Sequence, residues 1–203
     1  MPAGRSLSTP WQPDQPLPLP EYPRPQMLRP DWMNLNGTWE YSILPIPAPA
    51  PREFQGNILV PFPVESFLSG VQKPLRPDER LWYRRTFSIP AGWQGQRILL
   101  HFGAVDYACE VWVNGNTAGT HTGGYLPFSM DITDHLQNGE NILIVGVTDP
   151  TDSELQERGK QVLNPKSIWY TAVSGIWQTV WLEPVPQIHI ASLRSEERRV
   201  GNE

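Results

Sequence analysis

The sequence predicts an all-β fold in which two antiparallel sheets pack face to face as a sandwich or jelly roll. Three observations predict it. Residues 97–147 read as strand, corner, strand, tight turn, strand, loop, short helical turn and strand. Short period-2 segments of this kind, roughly eight to ten in all, recur along the chain between Gly, Pro and Asn turns. No internal repeat and no sustained helical period competes with them.

Taken in order, residues 1–30 form a Pro-rich arm that includes Pro10, Pro13, Pro16, Pro18, Pro20, Pro23, Pro25 and Pro30. Proline fixes φ and removes a backbone donor, so the arm is expected outside any sheet, extended and draped or disordered. Pro13 and Pro16 have PxxP spacing, which this proline density makes unremarkable. The domain proper is expected over 31–186. Residues 35–44 read as a strand with Trp39, Tyr41 and Ile43 on one face, ended by Pro45, Pro47, Pro49 and Pro51. Residues 58–60 are a short apolar segment, and the prolines after it make 60–66 a rigid crossing. In 81–89 the face of Leu81, Tyr83, Phe87 and Ile89 carries most of the apolar bulk and is the expected core face, with Arg85 as its exception.

Within 97–147, Ile98, Leu100 and Phe102 alternate with Leu99 and His101, and Cys109, Val111 and Val113 with Glu110 and Trp112. Asn114-Gly115 supplies the two positive-φ residues of a type I′ hairpin. Gly123-Gly124 gives a loop the freedom to turn back, and Asp131 to Asp134 reads as the cap and first turn of a short helix. Asn138-Gly139 turns into an apolar strand over 142–147. Residues 149–164 are a polar loop with room for one helical turn, and 178–182 is the last strand. The expected core contains Ile98, Leu100, Phe102, Val111, Val113, Ile142 or Leu143, and Val180.

Length and composition fit one medium domain: 203 residues, 39% hydrophobic, with nine Trp, six Tyr and six Phe. A net charge of −5 gives no electrostatic case for nucleic acid or an anionic membrane. No apolar run approaches the roughly 18 residues of a membrane span. The first 20 residues hold one Arg and no apolar stretch, so the expected location is cytoplasmic. Cys109, the single cysteine, is expected to be a buried hydrophobe rather than a reactive thiol.

Five stretches, WYRRTFSIP, LHFGAVDYACEVWVNG, GTHTGGYLPFSMDIT, NGENILIV and SGIWQTVWLEP, stand in an order that resembles the N-terminal sugar-binding domain of glycoside hydrolase family 2. That family includes β-galactosidases, β-glucuronidases and β-mannosidases. The resemblance covers about 29–186 and implies a galactose-binding-domain-like jelly roll, normally followed by an immunoglobulin-like domain and a catalytic (β/α)₈ barrel. Residues 187–193, with Ile188, Ile190 and Leu193, resemble the start of that second domain. Residues 194–203 lose the period-2 pattern and are expected to be a non-native tail.

Retaining members of the family cleave with two carboxylates, roughly 5–5.5 Å apart. In the family both are barrel residues, so no catalytic residue is expected here. Asp106 and Glu110 flank a strand start and are expected to be solvated or to cap a turn. His101, His121, His135 and His189 have no metal-ligand spacing, and neither a metal nor a cofactor is expected. For the loop 149–170 the resemblance leaves two roles open, packing against the missing domains and sugar contact. There Trp169 and Tyr170 can stack on a sugar ring, while Asp152, Lys160 and Gln161 can bond hydroxyls. The implied function is the scaffold domain of a glycosidase acting on terminal β-linked sugars, inactive without its barrel. Its partners would be carbohydrate and the later domains of the parent chain, with oligomeric state open. The alternative is a self-standing carbohydrate-binding module. The coding sequence beyond codon 194 separates the two.

Overall fold

The alternating segments become strands β1 (Met33–Asn34), β2 (Gly37–Pro45), β3 (Gly56–Val60), β4 (Glu79–Ser88), β5 (Arg97–Phe102), β6 (Val105–Asp106) and β7 (Ala108–Val113). They continue with β8 (Asn116–Thr122), β9 (Phe128–Asp131), β10 (Glu140–Thr148), β11 (Gln161–Val162), β12 (Tyr170–Thr171), β13 (Gly175–Ile176) and β14 (Val180–Val185). The computed structural model describes residues 17–193, so Pro13 to Pro16 and the tail at 194–203 lie outside the described residues.

Two antiparallel sheets result. One runs β1-β14-β5-β9 and the other β3-β2-β4-β10-β7-β8, with the small pairs β13-β6 and β11-β12 at the loops. Only the β11-β12 pair among these is parallel. The β7-β8 hairpin closes through Asn114 (φ 51°) and Gly115 (φ 81°), the two left-handed residues the type I′ turn requires. After β9, Asp131 Oδ1 accepts from Thr133 N at 3.0 Å and fixes the single 3-10 turn Thr133–His135.

The sheets meet over one core. Leu100, Phe102, Val180 and Leu182 of the smaller sheet face Trp39, Leu81, Tyr83, Val111, Val113, Leu143 and Val145 of the larger, all of them buried. The choice between Ile142 and Leu143 falls to Leu143, which is fully buried while Ile142 is 40% exposed. Arg85 sits at the edge of the core face as a half-buried exception, its guanidinium donating to the Thr38 carbonyl. Cys109 is buried, and burial pushes its thiol up to about 12.

Three expectations need correction. The last strand begins at Val180 rather than 178 and runs through Pro184 to Val185. The loop after β10 has no helical turn; Thr151 N bonds Asp149 Oδ1 at 2.7 Å and Ser153 N bonds the Pro150 carbonyl at 2.9 Å, a run of separate turns. Such local side-chain bonds compete with helix. Asp106 is neither solvated nor a cap: it is 4% exposed.

The described part of the arm is draped and pinned. Asn34 Nδ2 donates to the Leu19 carbonyl at 2.8 Å and Asn36 Nδ2 to that of Pro18 at 3.1 Å. Its main anchor is Glu183, fully buried on β14. Arg24 Nη2 reaches Glu183 Oε2 at 2.5 Å and Oε1 at 2.7 Å, and Arg29 Nε lies 2.9 Å from Oε2. Tyr22 Oη at 2.6 Å and Trp181 Nε1 at 2.7 Å both donate to Oε1. Burial alone would raise this carboxyl, but the His101 ring beside it and the bonds from Tyr22 and Trp181 hold it well below the ordinary range. His101 itself is lowered by burial and stacks on Trp181 at 4.8 Å.

Candidate functional site

The register of the two sheets gathers several loops at one place. Phe102 at the end of β5 pairs with both Val180 and Phe128, so the segments after β5 and before β9 and β14 lie together. The ends of β8 and β10 both meet Ala108 at the start of β7. The crossing after β3 arrives there too, because Val64 N donates to the Ser174 carbonyl at 3.3 Å.

These segments enclose a cavity of about 400 Å³. Pro61, Phe62, Pro63, Val173, Trp177 and Leu19 of the arm make its apolar wall; Asp106, Tyr125, Gln161 and Gln178 are the polar groups in it. That is the size and composition of a small-ligand site, an apolar concavity with a few oriented polar atoms. Its members are held in place. Trp177 Nε1 donates to the Gly124 carbonyl at 2.8 Å, which fixes the indole. Tyr125 packs edge-on against Trp177 at 6.2 Å, and Gln161 Nε2 donates to the Tyr125 hydroxyl at 3.2 Å. Gln161 Oε1 accepts from Val173 N at 2.6 Å. Gly124 is required by proximity: a Cβ there would lie 2.5 Å from Asp106 Oδ1.

Asp106 is one of three buried or half-buried acids around Ser174. Asp149 Oδ2 accepts from Ser174 Oγ at 2.7 Å, and Glu65 Oε2 from Ser174 N at 2.9 Å. Among the described residues no ion pair involves any of the three. Burial raises all of them, and the bonds from Ser174 partly offset the effect on Asp149 and Glu65. Asp106 is pushed up to about 7 by burial, then by the negative charge of Asp149, with the Gln161 side chain opposing and Glu65 adding a little. Its carboxyl is therefore half-protonated near neutral pH and can both donate to and accept from a hydroxyl.

Of the five residues the sequence singled out, four come together. Gln161 pairs with Tyr170 in β11-β12, and Tyr170 N donates to the Lys160 carbonyl at 2.8 Å. Trp169 adjoins them, 42% exposed, with the Arg158 guanidinium 5.6 Å over its ring; Tyr170 is 64% exposed. Gln161 alone lines the cavity. Lys160 and Asp152 are exposed outside it. Asp106, Tyr125 and Trp177 line the cavity and were not among the five residues singled out from the sequence. The available signals were a lone Asp at an apolar strand entry and, in a separate segment, Gly123-Gly124-Tyr125. Among the described residues no group of His, Cys, Asp and Glu could hold a metal ion, and no helix is long and apolar enough to cross a membrane.

The arrangement can bind, and it does not present the pair of carboxyls that glycoside hydrolysis uses. Among the described residues Asp106 is the one carboxyl in the cavity lining, while Asp149 and Glu65 face Ser174.

Comparison with known proteins agrees with this architecture. A β-galactosidase of Thermoanaerobacter pseudethanolicus is 33% identical over 111 residues, 54% of this chain and 14% of that protein. A putative β-glucuronidase of Formosa agariphila is 33% identical over 120 residues, 59% of this chain and again 14% of the relative. The chain thus spans only a small part of the length of these relatives. Among solved structures, the β-glucuronidase of Lactobacillus rhamnosus superposes with a TM-score of 0.62 at 24% identity, over 77% of this chain and 29% of that one. An uncultured Clostridium sp. β-glucuronidase gives 0.61 at 24% identity, over 79% and 31%. Both show the same fold. Residues 70–186, more than half of the chain, match the family described as "Glycosyl hydrolases family 2, sugar binding domain", and the chain belongs to that family.

Proposed function

We propose that this chain is the N-terminal scaffold and sugar-contact domain of a longer family 2 glycosidase that acts on terminal β-linked sugars. In this reading residues 31–186 are the domain, and hydrolysis is carried by a barrel elsewhere in the parent protein. The observation that carries it is the single cavity carboxyl. Asp106 can hold a hydroxyl, but cleavage needs an acid/base and a nucleophile on either side of one glycosidic bond. The relatives named as β-galactosidase and β-glucuronidase, each far longer than the matched segment, support placing the missing chemistry outside it.

The loop end supplies the contacts. Trp169 and Tyr170 offer exposed rings, and Lys160, Gln161 and, farther out, Asp152 offer polar groups for sugar hydroxyls. Beyond Pro186 the chain leaves the sheets with Ile188, Ile190 and Leu193 at 92%, 59% and 62% exposure. Apolar residues this open suit the first strand of a following immunoglobulin-like domain, as the resemblance implies.

The test is to assay the 203-residue chain with nitrophenyl β-galactoside, β-glucuronide and β-mannoside beside a product extended through the downstream coding sequence. The extended product turns over at least one substrate and the chain alone none. Turnover by the chain that disappears on replacing one of its own Asp or Glu residues refutes the reading.

A further inference from the structure

The chain contains three Asn-Gly pairs, Asn36-Gly37, Asn114-Gly115 and Asn138-Gly139. Before glycine, an asparagine carboxamide is open to attack by the next main-chain nitrogen, because glycine has no Cβ to crowd that nitrogen or restrict its backbone. The attack requires the Asn side chain to swing back over the following peptide, so the fold decides which pair can react.

Two of the pairs are locked. Asn36 is fully buried; its Nδ2 donates to the Pro18 carbonyl at 3.1 Å and to Thr179 Oγ1 at 3.3 Å, and its Oδ1 accepts from Val180 N at 3.0 Å. Asn114 Nδ2 donates to the His135 carbonyl at 2.9 Å and to Asn141 Oδ1 at 2.8 Å, while its Oδ1 accepts from Ile142 N at 2.9 Å. Rotating either side chain breaks these bonds and leaves their partners unsatisfied. Asn138 differs. It and Gly139 are exposed at the turn into β10. Among the described residues neither the Asn138 side chain nor the Gly139 N–H makes a hydrogen bond. Gly139 has φ 86°, and a Cβ built on it would meet nothing within 4 Å, so the space beside the turn is open.

We infer that Asn138-Gly139 is a site of spontaneous deamidation, selected from the three pairs by the fold. The Gly139 nitrogen, having given its proton to solvent base, attacks Asn138 Cγ. A C–N bond forms, the carboxamide nitrogen takes up a proton and leaves as ammonia, and a cyclic succinimide remains. Water then adds to one of the two ring carbonyls and opens it. Opening at Cγ gives aspartate; opening at the main-chain carbonyl gives isoaspartate, with the backbone running through Cγ. Asparagine and water have become a carboxylate and ammonia, with nothing oxidised or reduced. Either product adds a negative charge beside Glu140.

The two products differ in what they do to the turn. The fully buried Asn141 amide holds both flanks of the site: its Oδ1 accepts from Gln137 N at 2.9 Å, and its Nδ2 donates to the Gln137 and Gly139 carbonyls at 3.2 Å each. Isoaspartate lengthens the backbone between those two carbonyls, so this clamp opens, and Asn114 of the β7–β8 hairpin loses a shared partner. Aspartate leaves the backbone length unchanged and keeps the clamp.

The experiment ages the 203-residue chain at pH 8, folded and in urea, and follows each Asn-Gly peptide by digestion, chromatography and mass spectrometry. In the folded chain Asn138 converts to aspartate and isoaspartate at least about ten-fold faster than Asn36 or Asn114. In urea the three rates fall together. Asn138→Gln, shown to be folded by a thermal melt, loses the fast conversion because glutamine would need a larger ring. ¹⁵N spectra of the aged chain gain new Asn141 side-chain signals in proportion to isoaspartate, whereas Asn138→Asp leaves them where the parent has them. An Asn138 that stays intact in the folded chain overturns the inference. So does Asn36 or Asn114 converting as fast as Asn138 there, or the same lead persisting in urea, where local sequence rather than the fold would set it. Asn141 signals unmoved by isoaspartate overturn the effect on the turn.

Discussion

Replacing Glu183 by Gln is expected to cost about 3 kcal/mol at pH 7, for a reason that can be worked from its contacts. The carboxylate is fully buried, takes donors from Arg24, Tyr22 and Trp181, and forms an ion pair with Arg29. Removing one partner of a buried ion pair costs roughly 3–5 kcal/mol, because the remaining charge is stranded. Here Arg24 and Arg29 are 21% and 18% exposed and belong to a peripheral arm, so they can regain water by lifting away. That places the cost at the lower end. For a chain of this length about 3 kcal/mol lowers Tm by about 6–12 °C. The pH dependence has a defined sign. The folded pKa of Glu183 is depressed, so its contribution is fully present above the unfolded value near 4.3 and is lost as pH falls toward the folded one. Each unit below that value removes up to about 1.4 kcal/mol. Thermal melts of parent and Glu183→Gln at pH 7 and pH 3 measure this, with hydrogen exchange at 22–29 reporting release of the arm. Melting temperatures within about 1 °C at pH 7, or a gap that does not shrink at pH 3, would refute the reasoning.

The remaining expectations are smaller. Leu143→Ala should cost about 3 kcal/mol and Ile142→Ala under about 1 kcal/mol in urea unfolding, because only the first opens a void in the core. The Cys109 thiol, pushed up to about 12 by burial, should react with a disulfide reagent at neutral pH only at the rate of opening, and immediately in denaturant. Asp106→Asn should raise Tm at pH 8 and leave it unchanged at pH 4. With its folded pKa raised to about 7, Asp106 holds a proton that the unfolded chain has lost between about pH 4 and 7, so stability falls as pH rises through that window. A Tm difference equal at the two pH values would contradict this.

Most of the fold was legible because sandwich strands announce themselves locally. Alternation marked β5 and β7, a six-residue apolar run marked β10, and Asn114-Gly115 marked the β7-β8 hairpin, since each depends on residues a few positions apart. The arm was half legible. Its prolines said that it joins no sheet, but nothing nearby said that Arg24 and Arg29 would meet Glu183, some 159 residues on in the case of Arg24. Ion pairs at such separation leave no periodicity. The loop 149–170 was readable as aromatic and polar, and four of the five residues chosen in it do cluster. The cavity was not readable. It takes residues from several segments far apart in the chain, and Gly124 lies against the Asp106 carboxyl. The missing helical turn after β10 has a similar cause: Asp149 spends its carboxylate on Thr151 and Ser174 instead of capping a helix.

The two groups of buried acid in this domain have opposite electrostatic characters, and the difference separates scaffold from site. Glu183 is surrounded by cations and donors, its charge is fully compensated, and it holds the arm across β14. Asp106, Asp149 and Glu65 have no ion-pair partner among the described residues, and all three are raised. Asp149 and Glu65 have at least structural partners in Ser174, Thr151 and Leu75. Asp106 is pushed up to about 7, with the Gly124 backbone against it and an open cavity in front of it. Packing alone does not call for this group, because an apolar residue of similar size would fill the place without the cost of a desolvated carboxyl. A desolvated carboxyl lining a cavity with a fixed aromatic corner marks this end of the sandwich as the candidate site.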